Sequence, residues 1–303
     1  MKVAVTGASG LIGSALVESW QSAGHEVWRL VRRREQVVEE RTVFWSPLEG
    51  QIEAEKLKGL DAVVHLAGEN IAAKRWTKKQ KELIRRSRVE GTHLLCRTLE
   101  QLERRPNVLV CASAVGYYGN RGEELVDETS KPGKGFLAEV CQQWEAAAEP
   151  ARQAGIRTVH LRLGMVLSDR GGALARMLPL FKLGLAGRLG NGRQYWSWVT
   201  LDDVVRVVSW LLEHSSFDGP VNCTAPEPVT NRQFTRTLAK VLKRPAVLPA
   251  PAWALKLMLG QMAAELLLAG QRCVPQRLLD AGFSFQFREL EPGLRHVLNL
   301  PTH

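Results

Sequence analysis

Met1-Lys2-Val3-Ala4-Val5-Thr6-Gly7-Ala8-Ser9-Gly10-Leu11-Ile12-Gly13 opens the chain, and Ser14-Ala15-Leu16-Val17-Glu18-Ser19-Trp20 follows. A short apolar strand runs into a glycine-punctuated turn, and the turn runs into a helix. Glycine tolerates the tight turn and lets backbone come close to a ligand. The free N–H groups of a helix start, with the positive end of its dipole, then face negative charge. Strand, glycine turn and helix in this order hold the pyrophosphate of a dinucleotide. The spacing is Gly-x-x-Gly-x-x-Gly, not the commoner Gly-x-Gly-x-x-Gly.

The second strand, Val27-Trp28-Arg29-Leu30-Val31, follows the turn Gly24-His25, and its tip carries Arg32, Arg33 and Arg34. A site for NAD places an acid there to take the ribose hydroxyls, whereas arginine suits a 2′-phosphate. No carboxylate occurs at the tip before Glu35. A guanidinium fork matches phosphate in charge and shape. NADP(H) is therefore the expected cofactor, with a solvated arginine turn as the plain alternative.

Outward from this start, strands and helices alternate. Thr42–Trp45, Asp61–Gly68, Asn107–Ala112 and Thr158–Leu163 read as strands, the last three nearly continuously apolar. A basic helix precedes the third, and a helix over about Phe136 to Ala154 precedes the fourth. Such strands mean a parallel sheet covered on both faces. The fold class expected is α/β, a Rossmann-type doubly wound parallel sheet with a smaller C-terminal substrate lobe. The nucleotide-binding domain is placed at 1–163 with a return segment at about 199–216, and the lobe at 164–198 and 217–303. Trp253 to Leu268 is strongly apolar but holds Lys256, Gln261 and Glu265. It is too short and polar to span a membrane and reads as a buried or lobe-covering helix.

The chain has 303 residues, 45% of them hydrophobic and 24% charged, which is ordinary for a globular protein large enough to bury a big core. Lys2 and the early Thr6 and glycines do not read as a secretory signal. Cys96, Cys111, Cys141, Cys223 and Cys273 are scattered without a Cys-x-x-Cys pair, so neither a disulfide frame nor a metal site is expected. The expected location is cytoplasmic. The net charge is +10, and Lys74 to Arg88 holds eight basic residues against one acid. A solvated helix drawing in a polyanionic cofactor explains this without a nucleic-acid partner; neither nucleic acid nor a membrane is expected.

Together these residues resemble the extended short-chain dehydrogenase/reductase superfamily. The matching stretches are Thr6–Gly13, Asp61–Gly68, Ser113 to Gly119 and Val199–Val204. Ala67–Ile71, Ser113–Gly119, Phe136–Glu139, Trp144–Ala148 and Trp196–Val199 are similar to its NAD(P)-dependent epimerase/dehydratase-like branch. Bacterial members of that branch are often labelled sugar-nucleotide epimerases or cell-division inhibitors. The resemblance implies that Gly7, Ser9, Gly10, Leu11, Ile12 and Gly13 cradle the pyrophosphate and that Arg32 and Arg33 hold the 2′-phosphate. It implies that Leu66, Ala67, Gly68 and Glu69 line the ribose and the route to nicotinamide, with Arg88 facing the cofactor. Gln194, Trp196 and Trp198 would build the substrate pocket.

Relatives of this kind use a Ser or Thr with a Tyr-x-x-x-Lys pair on one helix, where a lowered tyrosine pKa lets the phenol move a proton. Counting from Glu145, Leu137 stands where tyrosine belongs and Cys141 where lysine belongs. Neither does that work. Ser113 and Tyr118 are the catalytic candidates; counting from Tyr118 puts Ala114 in the serine's place, and counting from Tyr117 puts Ser113 there. Tyr117, Glu69 and Cys141 are substitute acids. His65 and His160 lie inside strands and read as structural. The leading expectation is an oxidoreductase or epimerase-like enzyme acting on a small carbonyl or sugar-like substrate. The alternative is a non-catalytic NADP(H) sensor or scaffold with a protein partner.

Overall fold

The apolar runs meet in one sheet. In the computed structural model, which describes residues 1–38 and 40–301, the first half contains β1 (Lys2–Thr6), α1 (Leu11–Ser22), β2 (Glu26–Val31), β3 (Thr42–Ser46), β4 (Gln51–Ile52), β5 (Ala62–His65), α2 (Lys78–Gln101), β6 (Val108–Ala114), β7 (Leu125–Val126), α3 (Phe136–Ala146), α4 (Glu149–Gln153) and β8 (Arg157–Leu163). The second half contains β9 (Met165–Leu167), α5 (Gly172–Lys182), β10 (Tyr195–Trp196), β11 (Trp198–Thr200), α6 (Leu201–Glu213), β12 (Gly219–Cys223), β13 (Val229–Thr230), α7 (Asn231–Leu242), α8 (Ala252–Leu259), β14 (Arg272–Cys273), α9 (Gln276–Asp280) and α10 (Leu290–Val297).

Eight strands form the main sheet in the order β12-β8-β6-β5-β1-β2-β3-β4. Every pairing is parallel except the β3–β4 hairpin. The fold is mixed α/β, Rossmann-like and doubly wound. Strand alternation divides the core. Val3 and Val5 of β1 face Leu16, Trp20, Val204, Val207 and Leu211 on α1 and α6. Ala4 faces the other way, into the layer of Val63, Leu109, Leu95 and Leu99 under α2. The parallel strands all end at one edge, where ligands bind in such sheets.

A separate apolar cluster joins Leu174, Phe181, Trp198, Phe234, Leu238 and Leu294 from α5, β11, α7 and α10. Asp203 ties it to α6. Thr200 caps that helix by accepting the Asp203 amide, and the buried Asp203 carboxylate accepts the amides of Gln286 (2.8 Å) and Phe287 (3.0 Å).

Three expectations are corrected. The helix expected over Phe136 to Ala154 is two helices, with Pro150 opening the second, a position where its missing N–H costs nothing. The chain re-enters the main sheet at β12, inside the stretch 217–303 expected to be lobe; Pro220 is tolerated because β12 is an edge strand paired only with β8. The run Trp253 to Leu268 is not the single buried or lobe-covering helix expected. It breaks at Gly260 (φ 61°), α8 has no buried residue, and Ala263–Leu267 forms a π-helical turn. Among the described residues no helix is long and apolar enough to cross a membrane.

Asp203→Ala leaves two backbone donors without their acceptor. It is expected to lower unfolding free energy by about 1–3 kcal/mol in urea titration.

Candidate functional site

The strand-to-helix turn is built on close backbone approach. Gly7 has φ 69°, and a Cβ there would sit 3.0 Å from the Leu66 carbonyl carbon. A Cβ on Gly13 would lie 2.2 Å from the Gly7 carbonyl oxygen, so no other residue fits. The Gly10 amide donates to that same oxygen at 2.9 Å. Gly10 is also the N-cap of α1 and provides no side-chain cap, so the first amides of the helix are left to an external acceptor. Ser9 and Gly10 are exposed and Leu11 and Ile12 half-buried around this opening. The donor set fits a pyrophosphate.

Beside it, Thr6 of β1 pairs with Leu30 of β2, which sets the tip of β2 against the turn. The three arginines divide there. Arg34 lies over the Phe44 ring (4.1 Å to the centroid) and donates to Gln51 at 3.0 Å. Arg32 and Arg33 are exposed, and their side chains make no hydrogen bond or ion pair with the described residues. Their chemistry fits a phosphomonoester.

The loop 66–70 is held from beneath by Thr6, by His65, which sequence reading took as structural, and by side chains of α2. Thr6 Oγ1 accepts the Leu66 and Ala67 amides at 3.0 and 3.1 Å. With both lone pairs used, its proton goes to His65 Nδ1 at 2.7 Å. His65 Nε2–H then donates to Thr92 Oγ1 at 3.0 Å. Burial pushes the His65 pKa down to about 4, so the imidazole is a neutral linker. Glu69 receives Gln80 Nε2 on its carboxylate at 3.2 Å, and its amide donates to Ser87. Arg88, expected to face the cofactor, instead turns under the loop. Its Nη1 donates to the Glu69 carbonyl at 3.0 Å, its guanidinium lies over Trp144, and burial lowers its pKa. The exposed Gly68 rests against it.

At the end of β6 the catalytic candidates are locked together. The Ser113 hydroxyl donates to Glu145 Oε1 at 2.7 Å. Arg162 holds the same carboxylate with two bonds of 2.8 Å and donates from Nη1 to the Tyr118 oxygen at 2.9 Å. Tyr118 in turn donates to Asn222 Oδ1 at 2.8 Å. Tyr118 and Ser113 are buried, and burial raises the Tyr118 pKa above its ordinary value. This corrects the assignment of Tyr118 as an acid: its proton is committed and sealed from solvent. Burial works against the Arg162 charge, but Glu145 outweighs it and the pKa is raised. Sequence reading missed Glu145, Arg162 and Asn222, although an arginine in the apolar run Thr158 to Leu163 was the signal.

Leu137 and Cys141 do line the turn after β6. A Cβ on Gly116 would meet the Leu137 Cβ at 3.5 Å and the Cys141 Sγ at 3.8 Å. Burial pushes the Cys141 thiol up to about 11, so it stays neutral and does not replace a lysine. Tyr117 differs from its neighbour. It is half-buried, Arg162 lies 3.5 Å from its ring centroid, and its hydroxyl has no hydrogen-bond partner among the described residues. Glu265, on the π-helical turn, accepts the Phe136 and Leu137 amides at 3.2 and 2.9 Å and so caps α3 from the C-terminal segment.

The proposed pocket residues are also corrected. Trp198 is fully buried, donates its indole N–H to the Glu227 carbonyl and packs in the lobe core. Gln194 is buried, its amide bridging the Leu189 and Leu267 carbonyls. Trp196 alone is half-buried, edge-on to Phe234. Lobe and cradle meet elsewhere: a Cβ on Gly171, just before α5, would touch Leu11 at 3.4 Å.

Residues 3–223 match the NAD dependent epimerase/dehydratase family, and residues 250–297 match a domain of unknown function, DUF1731. The chain belongs to the NAD dependent epimerase/dehydratase family. An epimerase family protein of Mycobacterium tuberculosis is 44% identical over 299 residues, covering 99% of this chain and 98% of the relative. The human epimerase family protein SDR39U1 is 35% identical over 302 residues, covering 98% of this chain and 100% of the relative. A crystal structure of human SDR39U1 with NADPH superposes with a TM-score of 0.90 at 33% identity, covering 99% of both chains. The family is NAD(P)-dependent, and the match supports a nucleotide-binding, epimerase-like protein.

Arg162→Leu strands the Glu145 carboxylate. It is expected to cost about 3–5 kcal/mol of unfolding free energy in urea titration, partly recovered by adding Glu145→Leu. His65 has a folded pKa below its unfolded value, so the unfolded chain binds the extra proton between the two. Stability is expected to be full above about pH 6.5 and to fall on the order of 3 kcal/mol by about pH 4. His65→Gln should flatten that part of the pH–stability curve.

Proposed function

We propose that this epimerase-family chain binds NADP(H) and acts on a small carbonyl or sugar-like substrate, without a Tyr-x-x-x-Lys pair. The observation that carries the cofactor choice is the pair Arg32 and Arg33, exposed and unpaired with described residues beside the glycine turn, with Arg34 already committed to Phe44 and Gln51. The human relative solved with NADPH supports the same choice.

When bound, the nicotinamide cofactor supplies or accepts hydride. The chain's own part is to hold it and to handle a proton. Gly7 to Gly13 offer backbone donors, and Arg32 and Arg33 offer the phosphate fork. Of the protic groups at the end of β6, Tyr118 and Ser113 are tied into the Glu145–Arg162 pair. Tyr117 is the phenol left with an unshared hydroxyl, and it is the proton carrier in this reading.

A specific observation favours a second reading as well. Ser113 and Tyr118 serve as structural ties, as expected of a chain that retained the cofactor site to report NADP(H) occupancy to a protein partner. Turnover separates the two. A broad panel of carbonyl and nucleotide-sugar substrates, followed by nicotinamide absorbance, should find one that Tyr117→Phe loses while NADPH affinity is kept. No turnover on any substrate overturns the enzymatic reading. Partner binding indifferent to NADPH overturns the other.

Arg33→Asp, or Arg32 and Arg33 changed together, is expected to weaken NADPH by about ten- to a hundredfold and NADH little, by calorimetry. Equal wild-type affinities for NADPH and NADH overturn the cofactor choice.

A further inference from the structure

Two segments far apart in sequence carry most of the exposed apolar surface. Leu180, Leu183 and Leu185 end and follow α5, and Val247, Leu248, Trp253, Leu257 and Met258 precede and form α8. Exposure is 70% at Leu183, 74% at Val247, 72% at Trp253, 73% at Leu257 and 69% at Met258. The segments are paired. The Leu248 amide donates to the Ala186 carbonyl at 3.1 Å, Ala250 to Arg188 at 2.9 Å and Gly190 back to Ala250 at 2.9 Å. They therefore present one strip rather than scattered side chains. Trp253 and Leu257 stand one turn apart on the same face of α8.

The charge on these segments is one-sided. Residues 171–192 and 241–264 contain six basic residues (Arg176, Lys182, Arg188, Lys243, Arg244 and Lys256) and no acid. All six are exposed, and none forms an ion pair with the described residues. The basic residues before and at the start of α2 extend the strip, since Arg75 lies against Gly260 and Lys81 bonds Gln261. Tryptophan, leucine and methionine beside unpaired lysine and arginine is the composition that lies in a lipid interface, with cations at the headgroups. A second copy of the chain would bring the same uncompensated positive charge against this one. The charge complement is an anionic sheet.

We propose that the α5–α8 strip docks this protein on anionic lipid bilayers, with α8 lying in the headgroup plane and no segment crossing. The inference rests on the surface alone and stands whatever the cofactor site does. The test is co-sedimentation with vesicles of phosphatidylcholine, with and without phosphatidylglycerol. Binding should be at least about tenfold stronger to the anionic vesicles and should weaken with salt. Two variants follow. Trp253→Ser with Leu257→Ser and Met258→Ser, and separately Lys182→Glu with Lys243→Glu and Lys256→Glu, should each lose at least about tenfold with an unchanged far-ultraviolet dichroism melt. Equal binding to neutral and anionic vesicles overturns the proposal. So does no binding to either, and so does a concentration-dependent dimer in sedimentation equilibrium that the serine variant abolishes.

Discussion

One backbone contact governs the cofactor end of the molecule: helix α1 begins so close to β1 that position 13 has no room for a side chain. Its Cβ would fall 2.2 Å from the Gly7 oxygen. That approach aims the unsatisfied amides of α1 beyond the end of β1, where backbone donors and helix dipole act together on an anion. The rest of the edge is arranged to keep this geometry. Thr6 ties β1 to the loop after β5, and His65 passes that tie on to Thr92 on α2. Keeping His65 neutral lets it donate and accept at once, with no charge to solvate beneath the glycine turn.

Next to this edge lies a second polar arrangement at the end of β6. Leu137 and Cys141, which sequence analysis placed where tyrosine and lysine were expected, line the turn after β6. Beside them lies a buried ion pair. Arg162 and Glu145 satisfy one another with two bonds, and their remaining capacity goes to Ser113 and Tyr118. A buried pair of this kind is costly to form and costlier to break, which favours a single arrangement of β6, β8 and α3. The consequence for function is a division between neighbours. Tyr118 is a structural tie, and Tyr117 keeps its hydroxyl unshared among the described residues.

The C-terminal segment links the two halves. Glu265, from the π-helical turn, caps α3 across the position of the missing tyrosine. π-helical turns recur at functional sites because they re-aim a side chain within a helix. The same segment continues back into α8, where Trp253, Leu257 and Met258 stay exposed among the described residues. One stretch thus touches the helix beside the cofactor edge and also carries the exposed basic-apolar strip.

The amino-acid sequence by itself determined the doubly wound sheet, the glycine cradle, the arginine tip of β2 and the loss of the tyrosine and lysine. All of these are local: period, glycine spacing and residue identity within one strand–turn–helix unit carry them. What only the tertiary structure decided depends on partners distant in sequence. Arg88 turned beneath its loop because the Glu69 carbonyl and the Trp144 face were there to receive it. Trp198 and Gln194 went into the lobe interior because Glu227, Leu189 and Leu267 supplied their hydrogen bonds. Tyr118 was closed off by Arg162 and Asn222, whose strands reach it through long crossovers. Hydrophobic composition read Trp253 to Leu268 as a buried or lobe-covering helix, yet Trp253, Leu257 and Met258 stay exposed while Leu259, Met262 and Leu266 pack with Trp76, Ile84 and Val140. Whether an apolar face is covered is a property of the assembled surface, not of the segment that bears it.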